Sequence, residues 1–215
     1  MALTTGLNPE RARADINNFQ NEYFAAISKC DDALEAFLDL LEINWASPKA
    51  VEFYQRFADR LSETFYSKPT EEGNKIVEGA IEAFNSISSA NGGSTISDFG
   101  MMGVGAGSHE FKEEIDGDVG MNIANVSTAI PEFKQGVESG LNDLANVPKQ
   151  IAFYDPAGEQ AATYETGIIR VHDYIDQTVN TLISIVNTAI AEEQDNINLG
   201  KQGAVDAMEY NAPTS

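Results

Sequence analysis

A seven-residue stretch, Asn-Trp-Ala-Ser-Pro-Lys-Ala from Asn44 to Ala50, separates two long segments of helical apolar spacing. Ser47 is a good N-cap because its hydroxyl can accept a hydrogen bond from the free amides of the next turn. Pro48 suits the first helical position, where its missing N–H would be unpaired anyway. Trp45, the one tryptophan of the chain, can cover the ends of two helices. The stretch predicts the bend of a helical hairpin, and the alternative is a generic turn plugged by a tryptophan.

Apolar residues recur at spacings of three and four on both sides of this bend, which is typical of amphipathic helices. Asn8 and Pro9 provide the cap and first turn of the leading helix, and Pro69 predicts a kink in the following one. Such helices are unstable alone in water, so their apolar stripes must face other helices. We therefore predict a loose tail over 1–8 and a helical hairpin over 9–88. The stripes are Ile16, Phe19, Tyr23, Ile27, Cys30, Leu34, Phe37 and Leu41 before the bend, and Phe53, Phe57, Leu61 and Phe65 after it.

The second half repeats this layout over 121–199. Phe153, Asp155 and Pro156 supply an aromatic residue, a capping side chain and a helix-opening proline, as the first bend does. Gly203 and Pro213 predict a frayed tail over 200–215. The predicted fold class is all-α, with two helical hairpins in tandem forming a four-helix-bundle-like architecture of long antiparallel helices.

The Gly-rich segment 89–120 predicts a flexible linker. It lacks the Lys-Ser/Thr pair of a phosphate loop and the alternating aspartates of a calcium loop. Its apolar residues could form a membrane-binding or partner-binding tip, but membrane-binding segments usually have stronger amphipathic character. We therefore prefer a linker that packs a few apolar residues on the bundle. The tip residues would be Phe99, Met101, Met102 and Val104.

Residues suited to catalysis or metal binding are sparse. Two histidines and one cysteine cannot build a tetrahedral structural zinc site within the chain. No Glu-x-x-His motif of a di-iron bundle is present, and no spacing suggests a nucleophile with its base. Cys30 lies on an apolar stripe, where a small buried hydrophobe is the main interpretation and a reactive thiol the alternative. We expect no enzymatic activity, no cofactor and no metal.

The formal net charge is −21, from 34 acidic and 13 basic residues. Such a charge repels phosphate backbones and anionic lipids, so nucleic acid is excluded as a partner and membrane contact is not favoured. The first 14 residues contain no apolar run of the kind found in a secretory signal peptide. We expect a protein that is cytoplasmic or exported without a cleavable signal peptide.

The Trp45-Ala46-Ser47 bend and its two flanking stripes resemble the WXG-motif family of type VII secretion, with serine where the family usually has glycine. Residues 122–195 resemble a second, diverged copy. The resemblance implies that two hairpins pair antiparallel within one chain. It also implies a non-enzymatic role as a secreted substrate, or as partner or chaperone of a secreted effector.

The partners implied by this resemblance are a secretion ATPase, an effector or another helical hairpin protein, and a homo-oligomer is also open. The chain departs from the family because none of its tyrosines is followed four residues later by Asp or Glu, as the export signal requires. A co-secreted partner would then supply the signal. The alternative function is a helical membrane-active, pore-forming toxin subunit with the Gly/Met-rich segment as its insertion tip.

Overall fold

The computed structural model describes residues 8–104, 119–147 and 159–210, and it confirms the predicted all-α class. Two short strands accompany the helices. In chain order the elements are α1 (Pro9–Asn44), β1 (Trp45–Ala46), α2 (Pro48–Ser62), a π-helical turn (Glu63–Ser67), α3 (Lys68–Ala90), β2 (Gly120–Met121), α4 (Ile123–Leu144) and α5 (Glu159–Tyr210).

Helix α1 begins at the predicted cap. The Asn8 side chain accepts hydrogen bonds from the amides of Glu10 at 2.9 Å and Arg11 at 3.1 Å. Every residue of the stripe predicted before the bend is buried. This stripe forms one side of the core.

The predicted kink near Pro69 takes the form of a π-helical turn, and α2, this turn and α3 follow one another without a loop. Pro69 has no N–H for the preceding turn, and its ring would clash with a carbonyl four residues earlier, so the wider turn relieves both problems. The turn also aims side chains at two other helices. Thr64 reaches Thr178 of α5 at 3.2 Å, and the Tyr66 hydroxyl donates to Asp31 of α1 at 2.7 Å.

Cross-helix contacts fix the helix directions. The Tyr66–Asp31 bond and a 2.8 Å bond from the Tyr23 hydroxyl to the Pro69 carbonyl show that α1 and α3 are antiparallel. Further contacts show that α4 is antiparallel to α1, and that α5 is antiparallel to α2 and α3. These contacts are Phe37–Phe133 and Lys29–Asp143 for α4, and Thr64–Thr178 and Glu72–Arg170 for α5.

The helices form a four-membered arrangement in which α1 and α5 each pack on both α3 and α4. The two strands pair antiparallel, with Trp45 opposite Met121 and Ala46 opposite Gly120. The start of α4 therefore lies beside the first bend, at the opposite end of the bundle from the end of α3. The tandem-hairpin arrangement stays a prediction, because residues 148–158 lie outside the described part.

Two predicted boundaries differ from the structure. The predicted tail begins at residue 200, but α5 continues through Gly200 and Gly203 to Tyr210. An isolated glycine costs a helix only about 1 kcal/mol, so two of them do not end it. The 52 residues of α5 span about 78 Å at 1.5 Å per residue. The first helical unit also ends later than predicted, at Ala90.

The part of the linker that precedes Gly105 is held on the bundle. Asn85 donates to the Ile96 carbonyl at 2.9 Å and accepts from its amide at 2.6 Å, and Ile96 is buried. Ser88 donates to the Ser94 carbonyl at 2.7 Å. The described linker residues therefore follow a fixed path along the bundle instead of a free loop.

Candidate functional site

Trp45, Ser47 and Pro48 lie at the bend between α1 and α2. The Ser47 hydroxyl accepts from the Ala50 amide at 3.1 Å, and α2 begins at Pro48. Trp45 is 5% exposed, and its ring centroid lies 5.6 Å from that of Phe53. Cap, proline and indole together fix the angle at which α2 leaves the bend.

A groove lies between α2 and α5 next to this bend and encloses about 440 Å³. Apolar and charged side chains both line it. Trp45, Phe53 and Phe57 line it from the side of the bend and α2, and Ile185 and Ala189 line it from α5. Helix α5 packs closely on the π turn and α3 but only loosely on α2, so the groove stays open at this end.

Three of the 13 basic residues of the chain line this groove: Lys49, Arg56 and Arg60. Spacings of seven and four place them on one face of α2. Lys49 forms an ion pair with Glu192 of α5, and Arg56 pairs with Glu52 at 2.5 Å. The groove therefore combines aromatic side chains with an edge of three cations and two carboxylates, Glu52 and Glu192.

Helix α5 passes the groove and continues beyond it. We call residues 194–210 of this helix the α5 extension. Residues 194–203 of it are all exposed. Ile197 is 37% exposed and Leu199 is 70% exposed. At the same end Ile43 is 82% exposed and Val119 is 67% exposed. Four of the eight exposed large apolar side chains of the described residues thus lie at the bend end of the bundle.

The four predicted tip residues do not act as one unit. Phe99 and Val104 pack against the core, while Met101 and Met102 are 43% and 41% exposed. The guanidinium carbon of Arg13 lies 5.8 Å from the centre of the Phe99 ring. Two hydrogen bonds also hold the backbone of this segment. The Arg13 guanidinium donates to the Ser97 carbonyl at 2.6 Å, and the Val104 amide donates to the Thr70 hydroxyl at 3.1 Å.

The second predicted bend motif, Phe153, Asp155 and Pro156, lies outside the described residues. Its resemblance to the first bend stays a prediction.

Nothing in the described part assembles the side chains of a reaction centre. No group of three or more His, Cys, Asp and Glu side chains in residues 8–104, 119–147 and 159–210 could hold a metal ion. His172 is exposed on α5, with its ring 3.4 Å from Asp173. Cys30 is buried, burial raises the pKa of its thiol to about 12, and its sulfur lies 3.6 Å from the Val137 carbonyl. A thiol with so high a pKa stays protonated and unreactive at neutral pH.

Among the helices of the described residues, none has the length and apolar character that a membrane crossing requires. Searches against protein-family models, curated proteins and solved structures found no match.

Proposed function

We propose that this chain is a non-enzymatic protein associated with type VII secretion, which acts through helical protein–protein contacts. It is either exported itself or serves as partner or chaperone of an exported effector. We propose further that it is secreted, or that it is cytoplasmic before export.

This proposal is supported chiefly by the packing at the bend end of the bundle. There Trp45 closes two long antiparallel helices and packs beside the start of α4, so one chain buries the apolar faces of both pairs of helices. Such a chain needs no second subunit to complete its core. What it offers to others is the groove, the α5 extension and the exposed apolar residues of that end.

The type of surface supports a protein partner over a small substrate. The groove is open, with aromatic side chains between charged groups that are already paired in part, as Lys49 is with Glu192 and Arg56 is with Glu52. Helices bind in such grooves through apolar anchors, and charges at the edge set orientation and speed of association. The membrane-active alternative gains no support, because Phe99 and Val104 would first have to leave the bundle.

The proposal is tested by affinity capture of the tagged chain from its native cell, with culture medium and cytosol assayed separately. We expect recovery of a secretion ATPase, an effector or a small helical hairpin protein, and chain in the medium. A double variant, Arg56→Glu with Arg60→Glu, should lose that recovery.

The matched control is Lys75→Glu with Lys134→Glu, which changes the net charge equally at two exposed lysines away from the groove. It should behave as the unmodified chain. Retention in the cytosol with only metabolic enzymes recovered would overturn the proposed function.

A further inference from the structure

Residues 94–104, which we call the strap, lie without helix or strand across a cleft between α1 and α3. Both helices hold the strap. Arg13 of α1 donates to the Ser97 carbonyl at 2.6 Å, and Asn85 of α3 bonds to Ile96. We infer that this cleft is a peptide-binding site, and that a non-helical segment of a partner protein replaces the strap in it. The inference goes beyond the proposed function, because it concerns α1 and α3 and not the groove between α2 and α5.

The strap is held mainly through its backbone. The Asn85 side chain donates to the Ile96 carbonyl at 2.9 Å and accepts from the Ile96 amide at 2.6 Å. Ser88 donates to the Ser94 carbonyl at 2.7 Å. Every residue except proline offers the same two backbone groups to an amide side chain. The cleft can therefore hold another segment by the same hydrogen bonds.

The side chains of the strap show which residues the cleft accepts. Ile96 is 4% exposed, and Phe99 packs against the core with the Arg13 guanidinium carbon 5.8 Å from its ring centre. Met101 and Met102 are much more exposed. The cleft thus takes an aliphatic residue as its main anchor and an aromatic residue three positions later.

The strap leaves two polar atoms of the cleft unmatched. Gln20 is 1% exposed, and its Nε2 and the buried Oδ1 of Asn74 have no hydrogen-bond partner among the residues that the structure describes. Gln20 is seven residues from Arg13 and Asn74 is four from Thr70, so each lies on the helix face that holds the strap. Nε2 is a donor and Oδ1 an acceptor, and a peptide group offers one partner for each. A segment that pairs with both fits this cleft better than the strap does.

Charge adds one more property of the partner segment. Met101 lies at a cavity of about 570 Å³ beside α3, and Glu78 and Glu82 also line this cavity. No basic residue of the described part lines it. A lysine or arginine at the position of Met101 would therefore meet two carboxylates, and its approach to a chain of net charge −21 would be faster. The partner segment should be basic just after its aromatic anchor.

The strap acts at this site as a built-in competitor. A tethered segment competes at an effective concentration of about millimolar. Its hydrogen bonds each add little net stability, and Gly100 and Gly103 lose much conformational entropy when the segment is ordered. A free segment with the two anchors, the pairing groups and the basic residue can displace it. Until then the strap covers the apolar surface of the cleft.

Fluorescence anisotropy with labelled synthetic peptides and the full-length chain tests the inference. One peptide has the sequence of residues 94–104, and the other carries Met101→Lys. The strap variant Ile96→Ser loses its own anchor, so it should bind both peptides about tenfold more tightly than the unmodified chain does. The lysine peptide should bind about threefold more tightly than the other at low salt. Phe99→Ser serves as a second strap variant, because Phe99 is only partly buried.

Two variants of the cleft identify the binding site. Asn85→Ala, added to the strap variant, should weaken peptide binding about tenfold because two hydrogen bonds are lost. The matched control is Asn180→Ala at an exposed asparagine of α5, which should leave peptide binding unchanged. Glu78→Gln with Glu82→Gln should remove the preference for the lysine peptide. Unchanged helical circular dichroism will show that each variant folds.

Folded strap variants that bind neither peptide at about millimolar concentration would overturn the inference, and so would peptide binding that Asn85→Ala leaves unchanged. A dimer of the unmodified chain that Asn85→Ala dissociates would assign the cleft to the strap of a second copy, which also overturns it. These outcomes leave the proposed function standing, because that function is tested by capture from the cell through Arg56 and Arg60.

Discussion

The interface between α1 and α4 is closed by small residues, whereas α2 and α5 leave between them a groove that aromatic residues line. A methyl group on Gly140 would lie 2.4 Å from the sulfur of Cys30, and one on Gly136 would lie 2.7 Å from the Cβ of Ala33. We call α1/α4 the closed interface and α2/α5 the open interface. We infer from this difference that the closed interface holds the fold together, while the open interface remains available for contacts.

The strongest test of this comparison truncates one phenylalanine in each interface. Phe133 is 3% exposed and stacks on Phe37 with ring centroids 4.5 Å apart, so Phe133→Ala should cost about 3–5 kcal/mol of unfolding free energy. Phe57 is only partly buried, so Phe57→Ala should cost about 1 kcal/mol. Urea denaturation of both variants gives the two values. Equal losses would show that the two interfaces are not packed differently.

A smaller effect is expected from adding one methyl group to the closed interface. Gly140→Ala forces Cβ to within 2.8 Å of the Ala26 carbonyl, a backbone atom that cannot turn aside, so a loss of about 1–3 kcal/mol is expected. The matched control is Gly200→Ala in the α5 extension, where no atom lies within 4 Å. It should gain about 0.5–1 kcal/mol because alanine favours the helix. Thermal melting of the pair measures both signs, and an unaffected Gly140→Ala would contradict the close approach of α1 and α4.

Asp31 offers a pH-dependent test at the point where α1 meets the π turn after α2. Burial raises the pKa of this carboxyl from 3.8 to about 6, while the hydrogen bond from Tyr66 opposes that rise. Because the folded-state pKa exceeds the unfolded one, the native state binds the extra proton between these values, and stability falls as pH rises through them. Asp31→Asn keeps an acceptor for Tyr66 and removes the buried charge.

This variant should be about 1–3 kcal/mol more stable than the unmodified chain at neutral pH, and the gain should shrink toward zero below about pH 4. Denaturation at a series of pH values measures it. A gain independent of pH would mean that the carboxyl of Asp31 is not responsible. Phe133→Ala leaves Asp31 in place, so the loss of unfolding free energy that it causes should be the same across this pH range.

Much of the fold could be predicted from the sequence because helix caps and apolar spacings act within a few residues of their own position. Asn8, Ser47 and Pro48 act on the turn that follows them, and the apolar spacing of α1 decides which face is buried whatever covers it. The groove could not be predicted in this way. It depends on which helices become neighbours and on how closely α5 approaches α2, and spacing within one helix does not contain that information.

The linker shows a second limit of sequence reasoning. Its glycines predict flexibility, but Asn85 and Ser88 on α3 and Arg13 on α1 supply hydrogen bonds that fix its path. Arg13 is distant in sequence from the linker, and the sequence around Asn85 and Ser88 does not distinguish them from other polar residues of a helix. The predicted tip residues are likewise divided by their surroundings, since nothing in the sequence distinguishes Phe99 and Val104, which pack inward, from Met101 and Met102.

Amide hydrogen exchange tests most directly whether the closed interface holds the fold together while the open interface is loosely packed. In dilute protein we predict slow exchange in the centres of α1 and α4 and faster exchange in α2 and in residues 194–203, because protection follows burial and packing. Equal protection of both interfaces would contradict the account.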